Sequence, residues 1–250
     1  ELAHFDDTGR GMRAKRSLDA GDAILAVPAK LLLAAPCLER SLRDAVGRAS
    51  LSGSALQDVE LALALLAEVV LRPQGAWGEY AVAHLPRPPH ALLWAPSQLA
   101  RLRHTSTGAE VEAAREELLE LWRAHVRPAF KEVAPETKVS FRQFLWAFSI
   151  VESRGLSIQT PSTPPGGHGD SWWRSGARET LLCPVLDMLN HSVYSQLGWP
   201  RLEGDALVLR TIAPVAAGSQ LFLYYGPLPS AHTLQYYGFV EQSMLAHDVV

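Results

Sequence analysis

The sequence predicts a mixed β/α fold in which β structure at both chain ends encloses a helical insert. Three observations carry this prediction. Short strand-like runs flank a turn signal near the start. The same arrangement recurs near the end. The stretch between them is rich in helix-forming residues. A regular βα alternation, which a parallel sheet would require, is missing.

Residues 12–17 and 23–28 read as strands around the turn Asp19-Ala20-Gly21-Asp22. Residues 56–71 are Ala/Leu-rich and apolar almost all round, which predicts a buried helix stopped by Arg72-Pro73. A proline-marked region covers residues 85–96. Residues 110–126 place acidic groups early and an apolar stripe of Leu118, Leu119, Leu121, Trp122 and Val126 later, again a helix. Ser140 is a candidate N-cap for a third helix through about Glu152, burying Phe144, Leu145 and Phe148. Residues 155–178, rich in Pro, Gly, Ser and Thr, read as a loop long enough to be functional. Its Trp172-Trp173 is read as a loop anchor or a substrate-facing pair. Residues 206–212 and 220–225 are strands around Ala216-Ala217-Gly218-Ser219.

At 250 residues and 48% hydrophobic composition, the chain can bury one sizeable core or two modest ones. Twenty-three basic against 26 acidic residues give a net charge of −3, without the basic excess of an electrostatic nucleic-acid binder. Two distant cysteines, Cys37 and Cys183, exclude a disulfide framework and a Cys-rich zinc cluster, and they favour an intracellular reducing compartment: cytoplasm, nucleus or plastid. The nine histidines form no His-Glu-x-x-His pattern, so no metal site is expected. No apolar run reaches the roughly 18 residues of a membrane helix. The start at Glu1 rather than Met suggests a processed or trimmed chain.

Five segments carry candidate chemistry. Gly9-Arg10-Gly11 is either a turn or a loop whose bare backbone can approach a cofactor. It lacks the third glycine and the helix of a dinucleotide fingerprint. In Pro184-Val185-Leu186-Asp187-Met188-Leu189-Asn190-His191-Ser192, an apolar run ends in two side chains with firm hydrogen-bonding demands. Asn190-His191-Ser192 also matches a glycosylation sequon, but the preceding run reads as buried. Tyr225-Gly226 ends a strand, with Tyr224 expected on the opposite face. Tyr237-Gly238-Phe239 follows, and Glu152-Ser153-Arg154 closes the third helix, where a cation is electrostatically favoured.

Together these segments resemble the SET-domain protein methyltransferases, in the class of the Rubisco large-subunit lysine methyltransferase. The likeness runs from Gly9 to about Val240. It implies a SET-type β fold with small sheets, a knot-like C-terminal crossing and an inserted helical region. Residues 1–50 would form the N-terminal part of the β fold, 51–150 the helical insert, and 151–250 the C-terminal part with the catalytic motifs. The helical C-terminal domain with which relatives hold their protein substrate would be absent.

The resemblance further implies transfer of a methyl group from S-adenosylmethionine (SAM) to a lysine of a protein substrate. Gly9, Arg10, Gly11, Arg154, Asn190 and His191 would bind the cofactor. Tyr225 would be catalytic, and Arg154 and Tyr237 would contact the target side chain. Two departures bear on this. The Ser-Asn pair usual after Tyr-Gly is replaced by Pro229-Ser230, and Gly155-Leu156 lacks the usual aromatic. Two alternatives stay open: a histidine target, and a catalytically weak SET-like binding module. A Rossmann-type methyltransferase would need the βα alternation that is missing.

Overall fold

A computed structural model describes residues 1–47, 53–160 and 176–240. Among them the strands are β1 (Leu2–Phe5), β2 (Gly9–Arg13), β3 (Ala23–Pro28), β4 (Leu33–Ala34), β5 (Leu156–Gln159), β6 (Arg178–Leu182), β7 (Asn190–His191), β8 (Arg201–Glu203), β9 (Ala206–Arg210) and β10 (Gln220–Leu223). The α-helices are α1 (Arg40–Val46), α2 (Gly53–Leu71), α3 (Ala76–His84), α4 (Pro96–Leu99), α5 (Ser106–Leu121), α6 (Arg127–Val133), α7 (Phe141–Arg154) and α8 (Ser230–Tyr237). Two compact units result. One comprises Glu1–Leu32 and Leu156–Leu228, the other Leu33–Gly155 and Pro229–Val250.

The first unit is built from both chain ends. Its four-stranded sheet runs β1-β2-β10-β7, and a second sheet runs β3-β9-β8. β10 is antiparallel to β2, with Gln220 opposite Arg13 and Leu221 opposite Met12. On its other side β10 runs parallel to β7, with Phe222 opposite Asn190 and Leu223 opposite His191. The two strand–turn–strand patterns of the sequence therefore pair with each other: β2 meets β10 and β3 meets β9. In β9, Leu207, Val208 and Leu209 are all buried. Such a continuous apolar run is what a strand covered on both faces requires.

Several local features depart from the sequence expectations. The first strand pair includes β1, and β2 begins at Gly9 rather than Met12. Pairing along Leu2–Phe5 extends the ladder through glycines that, read alone, signal a turn. The expected loop over 155–178 opens with β5, which pairs antiparallel with β6. Trp172 and Trp173 lie outside the described residues.

The second unit is helical. α2 is buried all round, with Leu61, Leu63, Leu65 and Leu66 inaccessible to solvent, and it packs on α7. α7 begins in a capping box: Ser140 Oγ accepts from the Gln143 amide at 3.3 Å, and Gln143 Oε1 accepts from the Ser140 amide at 2.9 Å. α5 starts at Ser106, before the expected Glu110, because Thr105 Oγ1 accepts from the Gly108 amide at 3.0 Å. A π-helical turn over Trp122–Val126 joins α5 to α6. Pro128 explains it. Proline has no N–H to donate and its ring crowds the carbonyl four residues back, so a wider turn relieves the clash.

Candidate active site

The first unit gathers six of the eight residues expected to form the site. β1 and β2 are joined through a turn that Gly9 closes with φ of 69°. Gly11 is buried in β2. A Cβ there would lie 2.7 Å from Gln220 Nε2 and 2.8 Å from Asn190 Nδ2. Both distances are below normal contact, so a side chain there would displace the amide ends of Gln220 and Asn190.

Asn190 reaches this strand from β7. Its Nδ2 donates to the carbonyls of Thr8 at 3.3 Å and Arg10 at 3.1 Å. Thr8 Oγ1 in turn donates to Gln220 Oε1 at 2.9 Å. Asn190 thus ties down the backbone at Thr8 and Arg10, and Gln220 holds the Thr8 side chain beside it. The amide that a sequon would glycosylate is engaged here.

His191 follows on β7. Its Nδ1 accepts from the Tyr225 amide at 3.0 Å. A ring nitrogen that accepts carries no proton, so the neutral ring bears its hydrogen on Nε2. The imidazole stacks on Tyr224 at 5.7 Å between centroids and tilts against Tyr225 at 5.0 Å. Strand β10 ends at Leu223, so the alternation expected to separate Tyr224 from Tyr225 no longer holds there, and both rings lie near His191. The Tyr225 hydroxyl donates to the Leu189 carbonyl at 2.5 Å. Gly226 then takes φ of 126°, a conformation closed to other residues, and turns the chain away.

The apolar run before Asn190 is buried at Leu186, Met188 and Leu189, with Asp187 among them. Val185 adopts φ of 72° with ψ of −44°. A β-branched residue pays a real strain there. Burial, and then the nearby Asp187, push the Cys183 thiol up, which leaves it inert as a nucleophile.

The other two expected residues belong to the second unit. Arg154 is the last residue of α7 and Tyr237 the last of α8, and these helices pack together. α8 begins at Pro229-Ser230 without a side-chain cap and ends at Gly238 in the left-handed conformation. Burial, then Tyr236 and Glu152, push the Tyr237 phenol up to about 12. At neutral pH it is a hydrogen-bond donor, not a phenolate.

Sequence reasoning missed Thr8, Gln220 and the Leu189 carbonyl. Thr8 and Gln220 lie in no recognisable motif, and Leu189, inside the run before Asn190, acts through its carbonyl, which its residue type does not reveal; the available signal for Gln220 was a polar residue opening an otherwise apolar strand. Among the described residues no cluster of three or more His, Cys, Asp or Glu can hold a metal, and no helix is long and apolar enough to cross a membrane.

Comparison with known proteins places these features. The SET domain family model matches residues 9–226. The actin-histidine N-methyltransferase of Gallus gallus is 25% identical over 256 residues, covering 100% of this chain and 41% of that protein. Its Danio rerio counterpart is 25% identical and covers 100% and 40%. The chain therefore spans about two fifths of the length of these curated relatives. Among solved structures, the SET domain of LSMT bound to lysine and AdoHcy superposes with a TM-score of 0.70 at 21% identity, covering 96% of this chain and 52% of that one. Rubisco LSMT bound to AdoMet gives 0.70 at 22% identity, covering 97% and 52%. The likeness to these structures is one of fold.

Proposed function

The chain belongs to the SET-domain family, and on that premise we propose that it transfers a methyl group from SAM to a lysine side chain of a protein. The observation that carries this reading is the parallel pairing of β7 with β10. It seats Asn190 against the Gly9–Gly11 strand and hands the Tyr225 amide to His191. The residues present fit the cofactor. A bare backbone at Gly11, where a Cβ would displace the bordering uncharged amides of Gln220 and Asn190, suits a bulky cationic nucleoside held by main-chain groups. When bound, SAM supplies an electrophilic methyl on a sulfonium centre.

Gly9, Arg10, Gly11, Asn190 and His191 bind in this reading, with Arg154 contributing from α7. Tyr225 orients the incoming nitrogen; its hydroxyl, fixed on Leu189, keeps its lone pairs in a defined direction. Lysine, with an ordinary pKa near 10.4, must lose a proton before it can attack. Partial desolvation beside a cationic centre favours the neutral amine. Alignment of the two reactants then supplies much of the barrier reduction.

A second reading, transfer to a histidine nitrogen, is favoured by the actin-histidine N-methyltransferases that match over the whole chain. A single experiment separates the two. Purified protein is incubated with methyl-labelled SAM and a cell extract, and the labelled band is mapped by mass spectrometry. Methyl-lysine supports the proposal and methyl-histidine replaces it. SAM binding by calorimetry with no labelled band reduces the chain to a binding module.

A further inference from the structure

An ionisable pair in the second unit, His90 with the part-exposed Glu152, has no part in the chemistry above. His90 is inaccessible to solvent. Its Nδ1 accepts from the Leu92 amide at 3.1 Å, capping a short 3-10 turn over Ala91–Leu93. The proton of the neutral ring therefore sits on Nε2, which lies 2.9 Å from Glu152 Oε2 on α7. The contact is close but lacks the alignment of a good hydrogen bond. The imidazole meets the Tyr236 ring at 5.1 Å and 89°, an edge-to-face contact.

The neighbouring residue grips the same helix end. A Cβ on Gly238 would lie 2.7 Å from Pro89 Cβ and 2.8 Å from the Pro89 carbonyl, and that carbonyl is pinned by Trp94 Nε1 at 3.0 Å. Pro89 and His90 thus hold Gly238 and Tyr236, the residues on either side of Tyr237. Glu152 ties this clamp to α7, two positions before Arg154. The ionisable groups around the pair are His232, Tyr236 and Tyr237 on α8 and Glu110 on α5; burial and then Glu152 push the Tyr236 phenol up to about 12.

A part-buried carboxylate set against a buried imidazole gains little over a well-packed apolar pair, so stability alone gives a weak reason for it. We propose that His90 and Glu152 are positioning residues that fix the direction of Tyr237 toward the target side chain. This rests on the reading of Tyr237 as a target contact. The pair touches neither cofactor nor substrate; it acts through the end of α8.

The test uses the full chain, labelled SAM and the protein band labelled from an extract. Glu152→Ala lowers the initial methylation rate about 10-fold, within the range for a small misplacement of a reacting group. Glu152→Gln, whose amide oxygen can take the place of Oε2 beside Nε2, restores it to within about 3-fold. SAM affinity by calorimetry stays the same. In a Tyr237→Phe background, Glu152→Ala costs less than about 2-fold more, because residues acting through one another are not additive. Full, multiplicative loss in that background overturns the proposal, as does a lower Tm with an unchanged rate, and either result leaves the methyltransferase reading standing. Tyr237→Phe with wild-type activity instead removes Tyr237 from the target contact, and this inference with it. No labelled band at all rejects the methyltransferase reading and the inference together.

Discussion

The Tyr225 amide donates to Nδ1 of His191 at 3.0 Å, so the residue proposed to orient the target also sets the tautomer of a residue proposed to bind the cofactor. The reverse constraint runs through the backbone. Leu189, two positions before His191, accepts from the Tyr225 hydroxyl at 2.5 Å. Tyr225 is held at both ends by one short segment.

Tyr225→Phe should therefore cut turnover by about 100-fold or more, the range for a positioned catalytic group. SAM binding should be nearly intact, since the amide bond to His191 survives. Tyr224→Phe should stay close to wild type. Methylation rates on the labelled band, with calorimetry alongside, check both; a larger loss from Tyr224→Phe reverses the assignment.

Asn190→Ala should weaken SAM binding by about 1–3 kcal/mol, because two carbonyls, of Thr8 and Arg10, lose their donor and the glycine strand loses its tether. Unchanged calorimetric affinity would reject the role of Asn190.

Val185→Gly should stabilise the fold. Relief of positive-φ strain, about 1–2 kcal/mol, exceeds the added backbone entropy of glycine, about 0.5–1 kcal/mol. A rise in Tm of about 1–4 °C is expected for a domain of this size. A fall in Tm would show that the Val185 side chain contributes more by contact than its backbone costs.

Gly238→Ala should destabilise more than Gly204→Ala. Both glycines have positive φ, but only Gly238 also lacks space, with Pro89 inside contact distance. Gly204→Ala should cost about 1 kcal/mol and Gly238→Ala more. Urea midpoints of the two variants check the order.

Burial, and then the proximity of His90, hold the His232 pKa below its ordinary value. The unfolded chain therefore binds the proton first as pH falls through about 6.5. The sign follows: the contribution is fully present above that pH and is lost as pH falls through the lower folded value. Folding free energy measured from pH 7.5 to 5 should drop less steeply in His232→Phe than in the wild type.

The parts of the site that were legible in the sequence are contiguous ones. Asn190-His191 and Tyr225-Gly226 announce themselves because an apolar run or a strand ends in polar groups that need partners. Gly9-Arg10-Gly11 was visible as a feature but not as a strand, since only pairing with β1 brings these residues into a ladder. Ser140 was recognisable as a cap from its own neighbourhood. Thr8 with Gln220 and His90 with Glu152 were not, because each is an ordinary residue whose meaning comes from one partner far along the chain. The early start of α5 was missed for a smaller reason: Thr105 sits before a Ser-Thr-Gly stretch of poor helix formers, and its cap outweighs them.

The bond between Thr8 and Gln220 joins residues 212 positions apart. At about 5–20 residues per second, roughly 10 to 40 s of synthesis separate their emergence from the ribosome. Throughout that interval the β2 edge of the β1–β2 hairpin is open, and the partner that closes it does not yet exist. Non-local strand pairing is slow to form and prone to wrong partners while it waits. The helical residues between, 33–155, emerge first and can collapse on their own leucine core. The nascent chain thus makes most of its helical unit, all but α8, before β10, and a ribosome stalled short of Gln220 would hold helices trailing an unfinished sheet.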